Sequence, residues 1–190
     1  MANISIIGNG NMAKAIGGVF ADGGAQVEYL GRDLTQAPSG DVVVLAVPYP
    51  ALAGIASDRA DQLAGKVVVD ISNPLDFSTF DSLVVPADSS AAAELAAALP
   101  QSNVLKAFNT TFAATLSAKQ VGTDRTTVLI AGDDADAKAA LAALVQAGGL
   151  GAVDAGKLAR ARELEAVGFL QLTLAVGEKI GWTGGFAVVN

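Results

Sequence analysis

The sequence predicts an α/β fold: a doubly wound, mostly parallel sheet with helices on both faces and a long C-terminal helix. Three observations carry this. Short β-branched runs alternate with helix-forming runs along nearly all of the 190 residues. Two of the runs, "DVVVLAVP" and "KVVVDIS", are apolar almost throughout, as strands covered on both faces are. The first run leads directly into a glycine-rich turn and a helix.

The elements follow in order. "NISII" (residues 3–7) reads as a buried strand, and "NMAKAIGGVFADGG" as a helix ending at Gly23 and Gly24. "AQVEYL" is a second strand, "DVVVLAVP" (41–48) a third and "KVVVDIS" (66–72) a fourth, with a helix over 50–64 between the last two. An alanine-rich helix over 89–99 begins at Ser89 or Ser90. "NVLKAF" and "TTVLIAG" are the fifth and sixth strands. "DDADAKAALAALVQ" is a helix capped by Asp133 or Asp134, with acidic residues in its first turn where the helix dipole favours them. "GAVDAG" is a last strand, and residues 158–180 form the long helix. Only residues 31–41 join the second strand to the third, so a full crossover helix barely fits there. The organisation expected is a dinucleotide-binding domain over 1–155 and a C-terminal helical segment over 156–190 that completes the pocket.

Composition narrows the chemistry. With no cysteine, the chain has no disulfide, thiolate metal site or cysteine nucleophile. With no histidine, it lacks the commonest general base and the commonest metal ligand. No metal ligand set and no catalytic acid or base is assigned. A net charge of −7 argues against a nucleic-acid partner. The apolar stretch "AVGFLQLTLAV" is shorter than the roughly 20 residues that span a bilayer. The expectation is a soluble, cytoplasmic protein with no membrane partner.

Gly8, Gly10 and Ala13 have the spacing G-x-G-x-x-A between a predicted strand and a predicted helix. In that context the first glycine makes the tight turn and the second lets a pyrophosphate reach the backbone. The small third residue lets helix and strand pack closely. The amides of Asn11 and Met12 then face an anion at the positive helix end. At the end of the second strand an NAD site usually carries an acid for the ribose 2′-OH. Here the run is "EYLGRD", with Arg32 where a guanidinium can clamp a 2′-phosphate. That favours NADP(H). Arg32 as a solvated charge or as an adenine stack stays open, as does a shifted register that makes Glu28 or Asp33 the acid.

Ligands in such sheets lie beyond the carboxyl ends of the strands. Those ends supply Ala46, Val47, Pro48 and Tyr49 from the third strand, Asn73 and Pro74 from the fourth, and Phe108, Asn109 and Thr110 from the fifth. Each end taken alone is also ordinary turn chemistry.

The pieces "IIGNGNMAKAI", "LGR", "VVVLAVPY", "VVVDISNPLDF", "LKAFNTTFA", "VLIAGDDADAKAALAAL" and "VDAGKLARARELE" resemble the NADPH-dependent reductases of the deazaflavin coenzyme F420. The late pair, "AGDD" with its helix and "DAG" with its helix, is the most telling. The resemblance implies a Rossmann-type fold and direct hydride transfer between nicotinamide and a flavin- or deazaflavin-like ring, a small-molecule redox acceptor. It implies that Gly8, Asn9, Gly10, Asn11 and Met12 hold the pyrophosphate, and Gly31 and Arg32 the 2′-phosphate. Gly31 stands where a serine is usual. Val47, Pro48, Tyr49, Asn73, Pro74 and Leu75 would line the nicotinamide. The "AFNTT" loop and the segment around Trp182 would hold the second coenzyme, through Phe108, Asn109, Thr110 and Trp182. The glycine loop and a later "NT" also resemble pyrroline-5-carboxylate reductase, a family with a larger helical domain after the nucleotide domain.

Two other functions stay beside the oxidoreductase: a non-enzymatic NADP-binding redox sensor or partner subunit, and a small imine reductase. The third needs a proton donor, for which Tyr29, Tyr49, Lys106 and the hydroxyl side chains are the candidates. The C-terminal helix is apolar nearly all round over 166–176, interrupted by Gln171 and Thr173. Burial against the sheet alone and burial in a homodimer both stay open; one helix face against one sheet leaves a polar stripe, which favours the homodimer.

Overall fold

The computed structural model describes residues 2–31 and 33–189. Its seven-stranded sheet has the order β2-β1-β3-β4-β5-β8-β9, from β1 (Asn3–Ile7), β2 (Gln26–Leu30), β3 (Val42–Leu45), β4 (Val67–Asp70), β5 (Asn103–Lys106), β8 (Thr127–Gly132) and β9 (Gly151–Gly156). The first five strands are mutually parallel, as are β8 and β9. Between the two blocks β5 and β8 run antiparallel. The chain leaves β1 to one side for β2 and to the other for β3, which makes the end of β1 the topological switch point.

Period-two alternation decides which face each strand residue serves. Val42 and Val44 of β3 join Ile4, Ile6, Val69 and Leu105 in one core, against α1 (Asn11–Asp22), α4 (Ala113–Ala118) and α5 (Ala135–Ala147). Val43 and Leu45 join Ile7, Val68 and Val104 in the other, against α2 (Leu52–Leu63), α3 (Ala91–Ala98) and the start of α6 (Ala161–Val176). Strands with both faces covered have no polar face, which accounts for the unbroken apolar runs of β3 and β4.

Ser90 caps α3, its Oγ accepting from the Ala93 amide at 3.0 Å, and Asp134 caps α5, its Oδ1 accepting from Ala137 at 2.7 Å. The expected third, fourth and fifth strands run too long at their C-terminal ends. Ile71, Ala107 and Phe108 are buried but lie past the last paired residues, because burial continues beyond strand pairing. The long helix is a 3₁₀ turn, Leu158–Arg160, followed by α6, and it stops at Val176 rather than at 180. Glu178 ends it at φ 55°, its amide donating to the Ala175 carbonyl at 3.1 Å and the Lys179 amide to the Leu174 carbonyl at 2.8 Å. The helix α4 and the ribbon of β6 (Gln120–Val121) and β7 (Asp124–Arg125) are further elements that the apolar pattern does not announce. Residues 31–41 hold no helix among the described residues. None of the helices is long and apolar enough to cross a membrane, among the described residues.

Candidate active site

At the switch point Gly8 adopts φ 125°, a conformation that side chains rarely take, and a Cβ there would run into the Ala46 carbonyl. Its amide donates to the Leu30 carbonyl at 3.0 Å, closing the turn against β2. Gly10 differs: its φ is ordinary, and a Cβ would meet nothing within 4 Å, because its open side faces a cleft. Ala13 is fully buried beneath. Gly10 is the N-cap of α1, and no side chain caps that helix. Its leading amides are left for an outside partner, where the helix dipole favours an anion. These features fit the phosphates of a dinucleotide.

Two clefts flank the turn. The first, about 730 Å³, is lined by Gly8, Gly10, Gly31, Val47, Pro48 and Arg59, with Asn9 and Ala46 also on its wall. The second, about 420 Å³, is lined by Asn11, Met12, Asn73, Phe108, Asn109 and Trp182 among others. The structure thus divides the expected residues into two groups on either side of one turn. Arg32 lies outside the described residues.

Neither alternative acid stands at the end of β2. Glu28 pairs with Ser5 of β1, accepts from the Ser5 hydroxyl, and takes the Ser39 amide at 2.7 Å and hydroxyl at 2.8 Å. Burial pushes its carboxyl up, but the hydrogen bonds from Ser5, Ser39 and Gly40 together hold it below the ordinary glutamate range. Asp33 accepts from the Thr35 hydroxyl at 2.7 Å and amide at 2.9 Å, and those bonds lower its pKa. Both carboxylates are committed to their own loops.

In the second cleft two amide side chains cross-link the ends of β4 and β5. Asn73 Nδ2 donates to the Asn109 carbonyl at 2.9 Å, and Asn109 Nδ2 donates to Asn73 Oδ1 at 2.9 Å and to the Leu164 carbonyl at 2.8 Å. These acceptors fix the orientation of the Asn109 amide, and its buried Oδ1 is left with no partner. Phe108 enables the arrangement. It sits at φ 64° in the left-handed region, buried edge-on against Phe20 with ring centroids 5.9 Å apart. A non-glycine residue persists there only when its surroundings over-determine it. Across the cleft Trp182 packs on Phe112, centroids 5.0 Å apart, while remaining 52% exposed.

Four of the expected residues line neither cleft. Tyr49 turns to α3, its hydroxyl donating to Glu94 Oε2 at 2.7 Å; that bond, with burial, pushes its pKa up to about 12. Pro74 offers its carbonyl to the Val84 amide, and Leu75 is buried in a bridge to Leu83. Thr110 is buried, its carbonyl accepting from Gln171 Nε2 at 3.2 Å. Gln171, which reads as an interruption of an apolar helix, therefore faces inward, and its Oε1 also takes the Phe186 amide at 3.0 Å.

Two further features behind the cleft have no local sequence signal. Lys106 is fully buried between Asp70 and Glu165, at 2.8 Å from each. The Glu165 carboxylate also accepts from the Ala91 amide at 3.0 Å, at the start of α3. Burial holds Glu165 above the ordinary glutamate range, against the opposing pull of Lys106. Lys106 is thus an ion-pair hub rather than a proton donor to the cleft. The other feature is Gly168 of α6. A Cβ there would strike Asn73 Oδ1 and press on the Asn109 carbonyl at 2.9 Å, so only glycine lets the helix approach the amide pair this closely.

A glycine turn at the switch point of a mostly parallel sheet, with a cleft on either side, is the architecture of a Rossmann-type fold. Comparison with known proteins makes this particular. The family model described as NADP oxidoreductase, coenzyme F420-dependent, matches residues 32–74. The F420-dependent NADP reductase of Methanocaldococcus jannaschii is 30% identical over 177 residues, which span 90% of this chain and 79% of that one. A structure from Arthrobacter sp. FB24, assigned as an F420 dependent NADP-reductase, superposes over the whole of both chains with a TM-score of 0.86 at 25% identity. The pyrroline carboxylate reductase of Plasmodium falciparum, at 11% identity and a TM-score of 0.61, covers 93% of this chain and 67% of its own and shares the fold alone. The chain belongs to the coenzyme F420-dependent NADP oxidoreductase family, and it is an oxidoreductase.

Proposed function

We propose that the chain holds NADP(H) along the first cleft and over the glycine turn, and a planar flavin- or deazaflavin-like acceptor in the second cleft. The observation that carries this is the shared wall: Gly8 and Gly10 line one cleft, and the next residues, Asn11 and Met12, line the other. Bound nicotinamide supplies a hydride to a ring stacked near it. The chain's own part is positioning. Met12, Ile71, Phe112 and Trp182 offer apolar surface, and the polar groups beside them are amides and one hydroxyl, from Asn11, Asn73, Asn109 and Thr111. Such a lining orients a ring and excludes water better than it moves a proton.

In this reading residues 156–190 are the segment that completes the acceptor cleft, through Leu172 and Trp182. A cytoplasmic homodimer belongs to the same proposal; Val167 and Leu170, exposed apolar residues less than one turn apart on α6, support the dimer.

The test is a calorimetric titration of NADP(H) and NAD(H) into the wild type and Arg32→Ala, followed by turnover with flavin and deazaflavin acceptors. Tighter binding of NADP(H) that Arg32→Ala abolishes is expected, with turnover on one of the rings. Binding without turnover on any ring overturns the enzyme assignment in favour of a sensor or partner subunit. Binding of neither nucleotide removes the cofactor reading.

The turn itself yields a sharper expectation. Gly10→Ala should lower the melting temperature by no more than about 4 °C, because nothing lies within 4 Å of the new Cβ and only the N-cap preference is lost, and should weaken NADPH by at least about tenfold. Fluorimetric melting and titration measure both. Unchanged NADPH affinity would put the phosphates elsewhere.

A further inference from the structure

The helix α2 buries Leu52, Ala56, Arg59 and Leu63. The spacing is that of an apolar stripe, yet its third member is an arginine only 2% exposed. Buried cations ordinarily carry a carboxylate, because a bare charge is costly to desolvate. Arg59 takes part in none of the ion pairs among the described residues. Its acceptors are neutral. Nη2 donates to the Asp33 carbonyl at 2.7 Å and, more weakly, to the Gly31 carbonyl at 3.4 Å; Nη1 donates to the Gln36 carbonyl at 2.9 Å and to Gln62 Oε1 at 2.7 Å. Three of the four lie in the short connection after β2, where the 2′-phosphate is expected. Arg59 also lines the first cleft beside Gly31, as does the exposed Asp58.

We infer that Arg59 is a positioning and specificity-determining residue for the 2′-phosphate of NADP(H). This rests on the NADP reading of the first cleft. Its planar fork gathers the carbonyls of the connection and sets the shape of a loop that has no helix to brace it. Among the described residues no carboxylate is at ion-pair distance from it, and the exposed Asp33 offsets its charge only in small part, so it leaves the cleft mouth favourable to a dianion and indifferent to a ribose hydroxyl. Gly31 brings no side chain to that mouth, which leaves more of the selection to the buried cation.

The deciding variant is Gln62→Glu. It is isosteric, keeps an acceptor at Arg59 Nη1, and cancels the charge without disturbing the buried stripe. It also loses the bond from Gln62 Nε2 to the Leu34 carbonyl, and Gln62→Ala controls for that loss. The affinities of NADPH, NADH, 2′,5′-ADP and 5′-AMP are measured by titration at fixed salt. Gln62→Glu is expected to weaken NADPH and 2′,5′-ADP by about tenfold while NADH and 5′-AMP stay within about twofold, and Gln62→Ala to keep NADPH within about threefold. Arg59→Lys, which keeps the charge but not the fork, should retain part of the NADPH preference, and Arg59→Gln should lose it. Equal losses on all four nucleotides, or an unchanged NADPH preference in Gln62→Glu, overturns the inference and leaves Arg59 a structural brace. A wild type that does not prefer NADPH overturns the cofactor reading itself, and this inference with it.

Discussion

Lys106→Met is expected to lower the unfolding free energy by about 3–5 kcal/mol, the usual cost of removing one partner from a buried charge cluster. The wild-type cluster has two carboxylates and one ammonium, all essentially without solvent. Methionine fits the space of the lysine stem but leaves Asp70 and Glu165 facing each other with no cation. The variant should therefore gain stability as pH falls and one carboxyl takes a proton. Glu165→Gln makes the contrast. It leaves a one-to-one pair and still offers the Ala91 amide an acceptor, so its loss should stay near about 1 kcal/mol. The wild type carries the matching pH signature. Because Glu165 is held above its ordinary range, the folded state binds that proton more tightly than the unfolded chain. The associated stability is whole below the ordinary glutamate pKa and is lost as pH rises through the raised value. Urea denaturation of both variants across pH measures this. A loss under about 1 kcal/mol for Lys106→Met would show that the cluster contributes little.

Gly168→Ala should separate the two clefts functionally. The added methyl must displace the Asn73 side chain or push α6 off the sheet. Overpacking of this kind costs about 1–3 kcal/mol. If the second cleft holds the acceptor as proposed, a displacement of about 1 Å there lowers turnover by about a hundredfold. The first cleft takes no residue from α6, so NADPH affinity should remain within about threefold. Stopped-flow turnover and nucleotide titration on one preparation provide the comparison. Turnover that survives, or nucleotide binding that collapses with it, would contradict the division of labour between the clefts.

The parts of this molecule that were legible in the sequence are those governed by local rules. The turn at Gly8 and Gly10, the caps at Ser90 and Asp134, and the apolar strands β3 and β4 each follow from a few neighbouring residues. The antiparallel step at β5 and β8 has no such signal, since Leu105 meets Gly132 only through the tertiary fold. The helix α4 is six residues long and ends at Lys119 in a left-handed conformation, too short for a periodic pattern to develop. Gln171 looks like a polar gap in an apolar helix until the Thr110 carbonyl and the Phe186 amide are brought to it. Lys106 reads as an odd charge in a strand because both of its carboxylates come from distant segments. The site followed the same division. Residues presented by strand ends reached the clefts, whereas Tyr49 and Leu75 were drawn off by Glu94 and Leu83, partners that composition and spacing do not reveal.

The two clefts also differ in when the growing chain can furnish them. Every lining residue of the first belongs to positions 7–59, whereas the second draws on residues from Asn11 to Trp182. During synthesis the residues around the first cleft emerge together and early. Those around the second are complete only once Trp182 has left the ribosome. A chain cut short before Trp182 can carry the described lining of the first cleft, the place proposed for the nucleotide, without a finished second cleft, the place proposed for the acceptor.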